Sequence, residues 1–199
     1  GKVMSGRTKR IIGLSSIGIL FFIFLFPVVG VNAGPASYVG ATKCKACHSN
    51  QKIGGTEYKL WETFKMAKAL ETLKPGAAAD AKTKAGLDPQ KDYTTDAKCL
   101  KCHTTGYGQP GGFESMEKTP GLAGVGCEGC HGPGSDYRSP KIMSVKAYKE
   151  NREAARKAAI AAGLVIPDEK TCTTCHNPEN PVHKPFNFAE YKEKIKHWK

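Results

Sequence analysis

The sequence predicts a mainly α-helical protein with long irregular loops, preceded by one transmembrane helix. Its 199 residues include 22 glycines and 12 prolines, which favour loops and turns. Only 9% of the residues are aromatic, so we expect groups other than side chains to fill part of the interior. Three stretches carry helix signals, and one long uncharged run lies near the N-terminus.

The uncharged run extends from Ile11 to Val31 and follows four basic residues. The length of this run matches that of a helix that crosses a bilayer, which needs about 20 residues. It exceeds the apolar region of a secretory signal, which has about 7–15 residues. We therefore expect a signal-anchor over 1–33 and, by the positive-inside rule, an exported domain over 34–199 on the periplasmic side of a cytoplasmic membrane. Small residues near the end of the run leave cleavage and secretion to the periplasm as the alternative.

Three helices are predicted in the exported part. Strong helix formers run from about 56 to 73 and stop before Pro75, and an alanine-rich helix is expected over about 144–163. Asn187, with Glu190 three residues later, has the pattern of a capping box and opens a C-terminal helix.

All eight cysteines lie in four Cys-X-X-Cys-His motifs. Two thiols at this spacing can form thioethers with the two vinyl groups of one porphyrin, and the adjacent imidazole can then bind the iron. Zinc ribbons and disulfides are the alternatives, but neither requires a histidine after every cysteine pair. The motifs therefore predict four covalently bound haem c groups, each with a proximal histidine. The residues concerned are Cys44, Cys47, His48, Cys99, Cys102, His103, Cys127, Cys130, His131, Cys172, Cys175 and His176.

The formal net charge of +12 is divided between the two parts of the chain. Four basic residues precede the run, which leaves 26 − 18 = +8 for the exported part. Haem propionates would balance much of this excess, and export argues against a nucleic acid partner.

Side chains that could bind the other face of each iron are scarce. The exported part has two further histidines, His183 and His197, and three methionines, Met66, Met116 and Met143. Four bis-histidine haems are therefore impossible within one chain.

The sequence pattern alone does not choose among these candidates. Met66 shares a helical face with Leu70 and Leu73, so spacing favours an ordinary core methionine. His197 falls off the apolar stripe of its helix, which leaves solvent or iron. The other three candidates lie in irregular stretches, where no pattern favours ligation.

The stretches 67–113 and 124–137 resemble the tetrahaem cytochrome c-554 family, soluble electron carriers of ammonia oxidisers that accept electrons from hydroxylamine oxidoreductase. The resemblance implies a mostly helical fold around closely packed haems. It also implies three bis-histidine irons and one iron, held by His103, without a distal side chain.

By the same resemblance, the segment of Met66 should ligate the third haem and the segment after Tyr137 the first. The terminal helix should ligate the fourth haem, which makes His197 its distal ligand. Met66 stands where the family has histidine, and Met143 is the nearest substitute in the second segment. A His/Met iron tends toward higher potential than a bis-histidine iron, so the first and third haems are expected at distinctly positive potential.

These features together predict a membrane-anchored electron relay without enzyme activity. We expect it to pass electrons between a donor and an acceptor redox protein, as a subunit or tethered donor of a membrane oxidoreductase or photosynthetic complex. The alternatives are reduction of a small nitrogen oxide at an open His103 haem, and a haem filament to which His183 would lend a ligand.

Overall fold

The computed structural model describes Gly1, residues 34–53 and residues 55–197. The chain divides between Asn32 and Ala33, and all features below belong to the unit Ala33–Lys199. The predicted transmembrane segment lies outside the described residues, and its assignment stays a prediction. Among the residues that are described, no helix is both long and apolar enough to cross a membrane.

The described residues of the unit Ala33–Lys199 form short helices joined by long loops, so the predicted mainly α-helical class is confirmed. The described residues contain no β-strand, and two chain segments meet in an isolated bridge between Thr104 and Ala123. The α-helices are α1 Thr42–His48, α2 Glu57–Trp61, α3 Ala79–Lys84, α4 Ala97–His103, α5 Cys127–His131, α6 Val145–Glu150, α7 Arg152–Ala161, α8 Glu169–Thr173 and α9 Phe188–Lys194. The 3₁₀ helices are Lys65–Leu73 and Pro120–Leu122.

The apolar core of this unit is small. Ten hydrophobic side chains are buried among the described residues, six of them in one cluster. A domain of this length normally buries far more, which fits the expectation that other groups fill the interior. The clustered side chains are Leu70, Leu73, Tyr93, Leu100, Phe113 and Leu122.

The predicted continuous helix over about 56–73 is wrong, because the chain breaks between α2 and the following 3₁₀ helix. Phe64 has an extended backbone, and the Thr63 hydroxyl donates to the Leu60 carbonyl at 2.6 Å. Such a side chain to backbone bond competes with helix continuation. The predicted apolar face is confirmed at Leu70 and Leu73, which are buried.

The predicted helix over about 144–163 is also interrupted. Asn151 leaves helical geometry and caps α7 by accepting a hydrogen bond from the Ala154 N–H at 3.0 Å. A short polar side chain at this place favours a new N-cap over an unbroken helix. Two predicted boundaries are confirmed, since α7 is followed by Gly163 with φ +98° and Asn187 caps α9.

A buried threonine joins the second and third motifs. Thr105 is 1% exposed, and its hydroxyl donates to the Gly124 carbonyl and accepts from the Gly126 N–H, both at 2.8 Å. Its N–H donates to the Leu122 carbonyl, and its carbonyl accepts from Phe113. The loop after α4 is thereby bound to the segment that leads into α5.

We expect Thr105→Val to lower the free energy of unfolding by about 1–3 kcal/mol, because it strands a buried carbonyl and a buried N–H. Thr105→Ser keeps the hydroxyl and serves as the matched control. Urea titration of the two haem-loaded variants measures the difference. Equal stability of the valine and serine variants would show that the hydroxyl contributes nothing.

Candidate haem-binding site

Three of the four motifs form short helices that end at their histidine. In α1, α4 and α5 the two cysteines lie one turn apart and the imidazole follows on the last residue. In the fourth motif α8 ends at Thr173, and a turn carries His176, whose N–H donates to the Cys172 carbonyl at 3.0 Å. Each motif therefore presents two thiols and one imidazole from a single turn of chain.

The motifs approach one another in pairs through their cysteines. All eight cysteines are free of disulfides, so the disulfide alternative is wrong. A hydrogen bond between the Cys44 and Cys127 thiols lowers the pKa of Cys44 and raises that of Cys127. A second thiol pair joins Cys102 to Cys175, where the hydrogen bond lowers the pKa of Cys102 to about 7.

A third approach connects these two pairs. Burial raises the pKa of Cys130, and its electrostatic interaction with Cys172 adds to the shift. The third motif is therefore a neighbour of the fourth. The attachment motifs follow one another in space in the order first, third, fourth and second.

The first motif has a carboxylate behind its histidine. Nδ1 of His48 lies 3.3 Å from Oε2 of Glu57, the first residue of α2. A carboxylate that accepts the Nδ1–H makes Nε2 a more basic metal ligand. Sequence reasoning missed Glu57, because the contact joins two different helices.

The second motif is held by the 3₁₀ helix Lys65–Leu73. Nδ1 of His103 donates to the Ala69 carbonyl at 2.8 Å, and the Thr72 hydroxyl lies 3.2 Å from the same nitrogen. This arrangement selects the tautomer whose Nε2 can bind iron. The expectation that this iron lacks a distal side chain stays a prediction.

The third motif is held by one residue that lies 34 positions later in the chain. Nδ1 of His131 donates to the Val165 carbonyl at 3.1 Å, and the Val165 N–H donates to the His131 carbonyl at 2.9 Å. Gly132 has φ +76°, and a β-carbon there would press on Val165. Burial, the largest cause, lowers the pKa of His131 and favours the neutral imidazole that binds metals.

Aromatic rings cover the histidine of the fourth motif. Phe186 stacks on His176 with ring centroids 4.7 Å apart, and the Tyr191 ring lies at 6.3 Å. Burial and, second, the nearby His183 lower the pKa of His176. A cavity of about 270 Å³ opens here, and His183 is part of its lining.

A buried carboxylate inside the third motif ties down the chain before α1. Glu128 is 2% exposed and accepts hydrogen bonds from the N–H groups of Val39, Gly40 and Gly134, the last two at 2.7 Å. Its charge contributes, after burial, to a raised pKa of Tyr137. Sequence reasoning missed Glu128, although its place between the two cysteines of the motif could have drawn attention to it.

The predicted distal ligands are Met66, Met143 and His197. The main chain at Met66 lies beside the third motif, because its carbonyl accepts from the Val125 N–H at 2.9 Å. Met66 and Met143 are both partly buried, and their roles as ligands stay predictions. The centroid of the His197 ring lies 6.1 Å from that of His131 in the third motif, and the role of His197 as distal ligand of the fourth haem stays a prediction.

The residues present fit four covalently bound haems. No disulfide joins the eight cysteines, so their thiols are available for thioether bonds. In three of the motif histidines Nδ1 has a hydrogen-bond acceptor, which leaves Nε2 as the metal-binding nitrogen. The small apolar core agrees with an interior completed by prosthetic groups. Such groups would supply one-electron chemistry when bound.

Comparison with known proteins gives the same answer as the motifs. Residues 43–132 match the family model for cytochrome c554 and c-prime. Cytochrome c-554 of Nitrosomonas europaea is 41% identical over 145 residues, which is 72% of this chain. The match spans 59% of that relative's length.

The fold agrees with a solved structure of the same kind. The reduced state of cytochrome c554 from Nitrosomonas europaea superposes with a TM-score of 0.60 at 35% sequence identity. The superposition covers 81% of this chain and 78% of that one. The likeness therefore extends beyond the residues matched by the family model.

We expect Glu57→Gln to raise the midpoint potential of the first haem by on the order of tens of millivolts, because a neutral amide makes the His48 imidazole less electron-donating. Redox titration of the purified protein measures the shift. Glu153→Gln is the matched control, since Glu153 forms an exposed pair with Lys157 on α7. Unchanged potentials in both variants would contradict a tuning role for Glu57.

Proposed function

This chain belongs to the cytochrome c554 family and carries four covalently bound haem c groups, and from this premise we propose that it relays electrons between redox proteins at the outer face of a cytoplasmic membrane. It acts as a carrier, without an enzyme activity of its own. Its partners are a donor and an acceptor redox protein, the latter within a membrane oxidoreductase or photosynthetic complex.

The observation that best supports a relay is the unbroken series of attachment motifs. Cys44 lies beside Cys127, Cys102 lies beside Cys175, and Cys130 lies near Cys172. The first and second motifs are the two ends of this series. A carrier with separate entry and exit points needs such an order, whereas a single catalytic centre does not.

The surroundings of the motifs also favour a carrier. The acceptors that fix Nδ1 of His103 and His131 are main-chain carbonyls, which hold the imidazoles in place without donating or accepting protons near neutral pH. The carboxylate at His48 can adjust a potential. These residues orient ligands, and an electron carrier requires nothing more of them.

Attachment to the membrane is the second part of the proposal. The basic residues before Ile11 and the uncharged run after it support a retained anchor. A tether holds the exported part at high effective concentration beside a membrane partner.

For the relay, we expect the fully reduced full-length protein to deliver four electrons per chain to ferricyanide and to be reduced again without loss. Stopped-flow absorbance at the haem bands measures the number of electrons. With nitric oxide and excess dithionite, we expect no sustained consumption of the gas. Continuous turnover of nitric oxide would contradict the carrier and support catalysis at the His103 haem.

For the anchor, we expect haem-stained full-length protein in salt-washed membranes and its release by detergent alone. Replacing residues 1–33 by a cleavable export signal should move the haem domain to the soluble periplasmic fraction. Recovery of the native chain in that soluble fraction, with the first 33 residues removed, would contradict the anchor and leave the relay standing.

A further inference from the structure

Two histidines from distant parts of the chain meet beside the third motif. We propose that His197 is the second axial ligand of the haem attached at Cys127 and Cys130, opposite His131. This inference rests on the four haems and not on which proteins exchange electrons, so it can fail while the relay stands.

The distance between the two rings fits coordination of one iron. The ring centroids of His131 and His197 lie 6.1 Å apart, and the ring planes stand at 85°. With metal–nitrogen bonds of about 2 Å, two imidazoles on opposite sides of one metal ion have centroids about 6 Å apart. The separation of the two rings therefore agrees with a shared iron.

Both imidazoles are oriented by main-chain carbonyls. Nδ1 of His131 donates to Val165 at 3.1 Å, and Nδ1 of His197 donates to Ile195 at 2.8 Å. In each ring this selects the tautomer with a lone pair on Nε2, which is the form that binds a metal. Matched outer contacts on both rings are expected of a ligand pair.

The path of the C-terminal segment explains how His197 reaches the third motif. Phe186 and Tyr191 lie against His176 of the fourth motif. From Tyr191 the chain continues along α9 for three residues and then leaves the helix, which brings His197 to His131. The segment thus closes the fourth motif with aromatic rings and supplies an imidazole to its neighbour.

Met66 is the competing ligand for this iron. The main chain of its segment is docked beside the third motif, where a β-carbon on Gly124 would overlap the Ala67 carbonyl. Imidazole is the stronger electron donor of the two, so His197 would replace the histidine that the family has at the position of Met66.

Ligation of the third haem by His197 instead of Met66 changes the expected reduction potentials of the haems. With two imidazoles the third haem would lie lower than a His/Met haem, and the methionine-based rise in potential would be confined to the first haem. The fourth haem would lose the ligand that the resemblance assigned to it.

We expect His197→Ala, made in the full-length protein, to remove one of the low-spin ferric signals and to leave the haem content unchanged. Nearly perpendicular imidazoles give a strongly anisotropic low-spin signal, which electron paramagnetic resonance detects in the oxidised protein. Haem content is measured after denaturation in pyridine. His183→Ala is the matched control, and it should retain the low-spin signal that His197→Ala removes.

Met66→Leu tests the competing ligand directly, and we expect it to leave all low-spin signals in place. NMR of the reduced protein then shows which iron His197 binds, through nuclear Overhauser effects between the His197 ring and the thioether protons of each haem. Contacts with the haem of Cys127 and Cys130 are expected. Contacts with the haem of Cys172 and Cys175, or loss of a ligand in Met66→Leu with none in His197→Ala, would overturn the proposal. Delivery of four electrons to ferricyanide would be unaffected whichever residue binds this iron. The proposal for His197 and the proposed relay can therefore be refuted independently.

Discussion

Each attachment motif must hold two thiols and one imidazole in a single turn of chain, and this covalent constraint governs the rest of the structure. Short helices satisfy it, and three of them end at the motif histidine. The constraint leaves little room for a conventional core, and the buried hydrophobic side chains are correspondingly few. The loops between the motifs are fixed by buried polar groups, of which Thr105 and Glu128 are the clearest.

Polar contacts of this kind do more than stabilise loops, because they determine which motifs become neighbours. Thr105 joins the chain after the second motif to the segment before the third. Glu128 binds the chain before the first motif to the third. Both residues are almost fully buried, where an unsatisfied hydrogen-bonding group is costly, so these neighbour relations are firmly specified.

The four imidazoles differ in what lies behind them, although the motifs are alike in sequence. His48 has a carboxylate, His103 and His131 have main-chain carbonyls, and His176 has a stacked phenyl ring. Outer contacts of this kind tune a metal site. Four sites with the same attachment chemistry can therefore differ in potential, which a relay with a direction requires.

The sequence by itself determined the mainly helical class, the four haem attachments, the shortage of distal ligands and the boundaries at Gly163 and Asn187, because these follow from residue type and local spacing. It could not determine the breaks at Phe64 and Asn151, where local side chain bonds outweighed helix propensity. Only the tertiary structure decided that Glu57 stands behind His48 and that His197 reaches His131. Contacts between side chains of different segments depend on how these segments pack, and no local pattern records them.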